Sequence, residues 1–257
     1  MPDAEFIHYE IRDRVAEITM SREPVNAVNH QFLDELLAAY TRARHDTDAR
    51  AVILSSSCEK AFSAGMDLAM IQGGSGLDLR RFLEKLYFAM HDAQYRMGKP
   101  TIAAITQPAR AAGMTLAVSC DCIIAAEEYD FGYPEILVGI IPAMHLVHLP
   151  RQIGRHKAFE LCFTGDPISA KEAEMRGLIN YAVPKSQVMD RAREMAEKFA
   201  SMSPVVMDLG RSAFMRANDF EYRRAIENTV EAICAIIGTD DAQEGLNAFN
   251  EKRPPNW

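Results

Sequence analysis

The chain contains no run of 18 or more apolar residues, so no segment is expected to span a membrane. Its amino terminus, MPDAEFIHYEIRDR, is acidic and mixed, unlike the basic flank and apolar stretch of a secretory signal. Cysteine is scarce and odd in number: Cys58, Cys120, Cys122, Cys162 and Cys234 show no CxxC spacing. That pattern argues against a disulfide framework or a metal centre, and for buried thiols in a reducing, cytoplasmic setting. Positive charge is in deficit, with 28 Lys and Arg against 36 Asp and Glu and a net charge of −8. A broad nucleic-acid surface is thereby disfavoured, and an anionic nucleotide ligand would have to be met by local basic residues. No repeat of solenoid period is present.

What remains is an ordinary globular composition over 257 residues, 48% hydrophobic and 25% charged, enough to bury a sizeable core without staples. Residues 7–11 and 15–19 alternate apolar and polar around Arg12-Asp13-Arg14 and predict a β-hairpin. Asn29 precedes a helical pattern over His30–His45 as an N-cap. Residues 51–55, 101–105 and 122–126 read as buried strands. Helices are expected from Gly65 (a short one), over 79–97 after a flexible GGSG connector at 73–76, and through Ser119 after a small-residue turn at 109–113. Alternating strands and helices predict an α/β layout with a largely parallel sheet. From Pro150 onward strand signals are weak, and helices are expected over 156–163, 170–175, 187–201, 205–217, 222–237 and 242–252. The division is therefore an α/β core over 1–185 and a helical part over 186–257. The apolar Ile226, Val230, Ile233, Ile236 and Ile237 need a core or another subunit to pack against.

Two loops follow a buried strand and open a helix: KAFSAGMDL at 60–68 and PARAAGMTL at 108–116. Ligands of open parallel sheets sit at the carboxyl ends of strands. Free N–H groups at a helix start can donate to an anionic oxygen, and two that converge form an oxyanion hole. Small-residue turns of this kind also occur with no such role. A third segment, FGYPEILVGIIP at 131–142, carries the lone carboxylate Glu135 among apolar residues. It fits a surface cap after Pro134; if buried, its pKa rises toward the range useful for acid/base work.

With AFSAGMDL, KPTIAAI, LAVSCDCIIAA, FGYPEILVGIIP, FTGDPISAKEAEMRGLINYAVP and TDDAQEGLNAFNEKRPP in this order, the chain resembles the crotonase superfamily, the enoyl-CoA hydratase/isomerase group, over almost its whole length. The resemblance implies a spiral of ββα units with a helical C-terminal oligomerisation region, assembled as a homotrimer or dimer of trimers. It implies an acyl-CoA substrate, with coenzyme A as part of the thioester, no separate cofactor and no metal. It places the hole at the N–H groups of Met66 and Ala112, with Gly113 adjacent, and the general acid/base at Glu135. Coenzyme A contacts are implied at Val25, Ala27, Ala64, Asp67 and Leu68, with Lys252 as a phosphate candidate.

The departures narrow the chemistry. A second glutamate of the two-glutamate hydratases corresponds to Thr115, which cannot act as a carboxylate base. The second loop reads Ala111-Ala112-Gly113 in place of a glycine triplet, and Ala143 replaces a glycine after Ile141-Pro142. A single glutamate resembles the 3-enoyl-CoA to 2-enoyl-CoA isomerases and the hydroxycinnamoyl-CoA hydratase-lyases. A crotonase-fold hydrolase or decarboxylase on an unusual acyl-CoA or a diketone, and a non-catalytic acyl-CoA or RNA binder, stay as alternatives. His145 and His148 are candidate replacement acids, and Arg110 a candidate anion contact. Met70, residues 79–90 and residues 137–146 are the expected pocket walls.

Overall fold

The computed structural model describes residues 4–70, 72, 75–219, 221, 226, 230–231 and 233–256. The hairpin forms from β1 (Ile7–Arg12) and β2 (Val15–Met20), paired from Ile7↔Met20 to Arg12↔Val15. Its two-residue turn holds Asp13 and Arg14 at φ 50° and 66°, the doubly positive geometry that matches strand twist. Next to β2 lie β3 (Ala51–Ser56), β4 (Thr101–Ile105), β6 (Cys122–Ala126) and β9 (Tyr181–Val183), all parallel. A second, three-stranded sheet joins β5 (Ala109–Arg110), β7 (Asp130–Gly132) and β8 (Ile168–Ser169).

The main sheet is covered on both faces, so its central strands carry near-continuous apolar residues. Val52, Leu54, Ala103 and Ile105 face the larger core. Ala51, Ile53, Ile102, Ala104 and Ile124 face α8 (Val188–Ala200), which presents Val188, Ala192 and Ala196. That four-residue spacing is one helix stripe, and its alanines let the helix lie close to the strands. Truncating the fully buried Ile53 would cost about 2–5 kcal/mol.

Helix α1 (His30–His45) begins where the Asn29 carboxamide accepts the Phe32 N–H at 2.8 Å, and it buries Phe32, Leu33, Leu36 and Tyr40. The next helix starts earlier than the connector reading suggests. Ser75 and Asp78 form a reciprocal capping box, so α2 runs Gly76–Leu83; Gly73 and Gly74 lie outside the described residues. The expected continuous helix to residue 97 is interrupted by a π-helical stretch at Glu84–Ala89 before α3 (Met90–Tyr95). The expected turn at 109–113 is narrower: strand β5, a bend at Ala111 and then α4 (Ala112–Val118). The expected short helix after Gly65 is a 3₁₀ turn at Leu68–Met70. Beyond it come α5 (Ala143–Ile153), α6 (Arg155–Thr164), α7 (Ala170–Met175), α9 (Pro204–Asp219) and α10 (Asp240–Glu251). Much of the helix expected over 222–237 lies outside the described residues. Strands β8 and β9, of two and three residues, fall in the stretch after Pro150 where strand signals are weak.

Asp121 and Asp130 are structural ties. The Asp121 carboxylate accepts from the Thr101 N–H at 2.8 Å and from the Arg211 guanidinium at 2.9 and 3.0 Å, pinning α9 to the head of β4. Asp130 pairs with Arg110, whose guanidinium also donates to the Asp130 carbonyl at 2.8 Å. Arg110 therefore links β5 to β7 and is committed to that role.

Candidate active site

The two loops singled out in the sequence are stitched together. Phe62 N–H donates to the Pro108 carbonyl at 2.9 Å and Arg110 N–H to the Ser63 carbonyl at 3.0 Å, with a parallel bridge between Ser63 and Ala109. Asn26, fully buried, braces the first loop: its carboxamide donates to the Phe62 carbonyl at 2.9 Å, and its carbonyl accepts the Ser63 hydroxyl at 2.7 Å. Gly65 (φ 104°) is so close to the second loop that an added Cβ would stand 2.9 Å from the Ala111 Cβ. One at Gly113 would stand 2.4 Å from the Ser63 carbonyl oxygen. Contact this close requires glycine at both positions.

The second loop turns on Ala111, at φ 48° and ψ −119°, a region that costs a residue with a Cβ about 1–3 kcal/mol. Its N–H donates to the Gly132 carbonyl at 3.0 Å, and its carbonyl accepts from Met114 and Thr115 as α4 starts. The conformation is thus fixed from both sides. Among the described residues, the N–H groups of Met66 and Ala112 have no acceptor.

Both residues line one cavity of about 310 Å³. Ala64, Leu68 and Ala111 complete the loop side, and Leu83, Leu86 and Tyr87 come from α2 and its π-helical extension. Leu137, Val138, Ile140 and Ile141 form the opposite wall, while Ile233, Gly245, Phe249, Arg253 and Pro255 close it from the C-terminal segment. These last residues stand out in the sequence only as an apolar residue in need of a partner and as part of the closing TDDAQEGLNAFNEKRPP segment, with nothing that marks them as cavity wall. Of the expected walls, Met70, residues 79–82, 84–85, 88–90 and 142–146, and Gly139 are absent from the lining. Arg253 is held away from a free role by Glu244 at 2.6 Å and Glu251 at 2.6 Å.

Glu135 faces this cavity from a 3₁₀ turn at Pro134–Val138 that Gly139 ends at φ 78°. It is 9% exposed, and its Oε2 has no hydrogen-bond partner. Burial pushes its pKa up to about 8, opposed by its own backbone N–H. The surface-cap reading of this residue is thereby replaced by a desolvated carboxyl group. Helix α10 presses on the same turn: a Cβ at Gly139 would lie 2.8 Å from the Ala242 Cα, and one at Gly245 2.6 Å from the Val138 carbonyl.

The other sequence candidates sit around the cavity without lining it. Thr115 is buried, and its hydroxyl pairs with His145 Nε2 at 3.2 Å. His145 is fully buried against Tyr133, ring centroids 4.5 Å apart, and burial holds its pKa well below the ordinary value, with His148 adding to that effect. His148 borders a different cleft. Asp67 pairs with Arg22 at 2.9 Å; the Val25 carbonyl accepts the Ala64 N–H at 2.9 Å; Ala27 is half-buried; Lys252 is exposed one residue before Arg253. No cluster of three or more metal-ligating side chains occurs among the described residues, and no helix among them is long and apolar enough to cross a membrane.

A model of the enoyl-CoA hydratase/isomerase family matches residues 10–257. The chain belongs to that family. It is 32% identical to a crotonyl-CoA hydratase of Syntrophomonas wolfei over 98% of each chain. It is 33% identical to a short-chain-enoyl-CoA hydratase of Clostridium acetobutylicum, over 95% of this chain and 94% of that one. The crystal structure of an enoyl-CoA hydratase from Bacillus anthracis superposes with a TM-score of 0.78 at 34% identity, covering 98% of this chain and 99% of the other. The fold is accordingly the crotonase-type α/β fold with a helical C-terminal region, and the protein is an enzyme of the enoyl-CoA hydratase/isomerase family.

Proposed function

We propose that this enzyme binds an acyl-CoA thioester with its carbonyl oxygen between the Met66 and Ala112 N–H groups and moves a proton beside that carbonyl with Glu135. The observation that carries the reading is the shared cavity: two N–H groups without acceptors and a buried carboxyl group whose Oε2 has no partner open onto the same apolar space. Ionised Glu135 takes the proton from C2. The electron pair moves onto the thioester oxygen, where the two N–H groups stabilise the enolate; one such donor contributes about 2.7–4 kcal/mol. Returning the proton at C4 shifts the double bond from C3–C4 to C2–C3. Isomerisation needs a single carboxyl group, and Thr115 with its His145 partner supplies no second one.

His145 is not positioned to serve as a replacement acid, because it is fully buried against Thr115 and Tyr133 and does not line the cavity. That weakens the hydrolase and decarboxylase readings. The apolar lining favours an aliphatic acyl group over a phenolic one. Coenzyme A enters only as part of the substrate; Ala64 and Leu68, which line the cavity, would meet it, whereas Val25, Ala27, Asp67 and Lys252 do not line it. The exposed Val205, Val206, Leu209 and Phe214 of α9 support a homotrimer or larger assembly, and five free thiols support a reducing, cytoplasmic location.

Glu135→Gln is expected to lower kcat by at least about 10²-fold with acyl-CoA affinity retained; equal turnover would remove Glu135 from the mechanism. In the wild type, a step that needs the ionised carboxylate rises with pH, half-maximal near 8. Transfer of deuterium from solvent to C2 and C4 of a 3-enoyl-CoA, followed by mass spectrometry, separates isomerisation from hydration.

A further inference from the structure

A second cavity, about 500 Å³ in volume, opens at the other end of the strands, where α1 runs into β3 and α3 runs into β4. Its wall carries Arg44, Arg50 and Arg96, and among the described residues none of the three guanidinium groups has a hydrogen-bond or ion-pair partner. Lys99 joins them, its ammonium donating to the Ala43 and Asp46 carbonyls at 2.5 and 2.6 Å. Those acceptors are main-chain groups and bring no countercharge. Two carboxylates share the wall. Asp46 is engaged by the Tyr9 hydroxyl at 3.1 Å and the Asp48 N–H at 3.0 Å. Asp208 lies against Gly98, where an added Cβ would be 2.6 Å from its Oδ1.

Four cations against two carboxylates, in a chain of net charge −8, is a local reversal of sign. Cations near the C-terminal end of α1 complement its dipole, which accounts for Arg44. It does not account for Arg50 at the head of β3 or Arg96 after α3. Guanidinium groups from separate segments around one concavity suit bidentate binding of phosphate oxygens, and the volume is that of a small-molecule site.

We propose that this cleft is a binding site for a diphosphate-bearing small molecule, separate from the active cavity. The two sites are separated by the length of β3, roughly 20 Å for a six-residue strand. Occupancy of the cleft would bridge α1, β3, β4 and α9, none of which supplies a wall residue to the active cavity.

The test is calorimetric titration of the whole enzyme with inorganic pyrophosphate at two salt concentrations, in wild type and in Arg50→Gln/Arg96→Gln. Saturable binding to the wild type is expected, weaker at higher salt, and reduced at least about tenfold in the double variant, with acyl-CoA turnover unchanged. Arg44→Gln, at an exposed position, gives a smaller loss in the same direction and guards against misfolding of the double variant. Free coenzyme A identifies the source: a second equivalent per chain, lost in the double variant, means that the cleft takes the diphosphate of coenzyme A itself. A single equivalent alongside pyrophosphate binding means another phosphorylated compound. No saturable pyrophosphate binding, or equal binding in wild type and variants, would overturn the proposal. So would variants that change the assembly mass while pyrophosphate binding is absent, which would assign the arginines to a subunit contact.

Discussion

The two loops that present Met66 and Ala112 reach similar ends by different means. The first bends at a glycine, Gly65 at φ 104°; the second bends at an alanine, Ala111 at φ 48°. A glycine in such a place is conformationally free, and its bend must be held by neighbours; here the Asn26 and Ser63 hydrogen bonds do this. An alanine there is strained, yet its methyl group excludes many other conformations of the unfolded chain. The first loop is therefore fixed by its partners, and the second in part by its own covalent structure.

The largest expected effect comes from separating the loops. Gly113→Ala drives a Cβ to 2.4 Å from the Ser63 carbonyl, and backbone cannot rotate away as a side chain can. A loss of about 1–3 kcal/mol in urea melts is expected, together with a fall of about 10²-fold in kcat from displaced N–H donors. An unchanged kcat would show that the two loops can part without harm to the site. Gly65→Ala should destabilise by about 1–2 kcal/mol, because of its backbone angle and its contact with the Ala111 methyl. Combining it with Ala111→Gly removes that contact, and the pair should recover about 1 kcal/mol relative to additivity; strict additivity would mean the methyl groups do not meet. Ala111→Gly alone should move stability by less than about 1 kcal/mol, strain relief being offset by greater freedom in the unfolded chain. Its effect on turnover is expected within about twofold; a larger drop would show that the methyl group holds the donor in place.

Glu135 extends the contrast to pH. Its folded pKa of about 8 lies above the ordinary 4.5, so the stability it contributes is complete below about 4.5 and is lost as pH rises through 8. Glu135→Gln should therefore melt higher than the wild type at pH 9, and that advantage should shrink toward pH 4.5.

The elements legible in the sequence were those whose pattern is local. The β1–β2 alternation, the Asn29 cap and the apolar runs of β3, β4 and β6 each depend on a few adjacent residues. The short strands β5, β7, β8 and β9 span only two or three residues each. They exist because a distant segment pairs with them, and so leave no periodicity to read. The interruption at Glu84–Ala89 was equally silent, since it contains neither proline nor glycine. In the site, Glu135 was visible as a lone acid among apolar residues, and the two loops by their small residues. The C-terminal wall, and the burial of His145 against Thr115 and away from the cavity lining, depend on packing between segments far apart in the chain.

The pressure of α10 on the Glu135 turn has a consequence for biosynthesis. Gly139 and Gly245 let a helix ending at Glu251 touch the turn that carries the acid. Domains generally fold as they leave the ribosome, amino-terminal parts first. The main sheet, complete at Val183, can assemble while the chain is still tethered, but this turn gains its backing only when α10, some sixty residues later, has emerged. Until α10 docks, a nascent chain would thus carry both cavity loops and a carboxyl group not yet held in place, so that activity would begin only after α10 has packed against this turn.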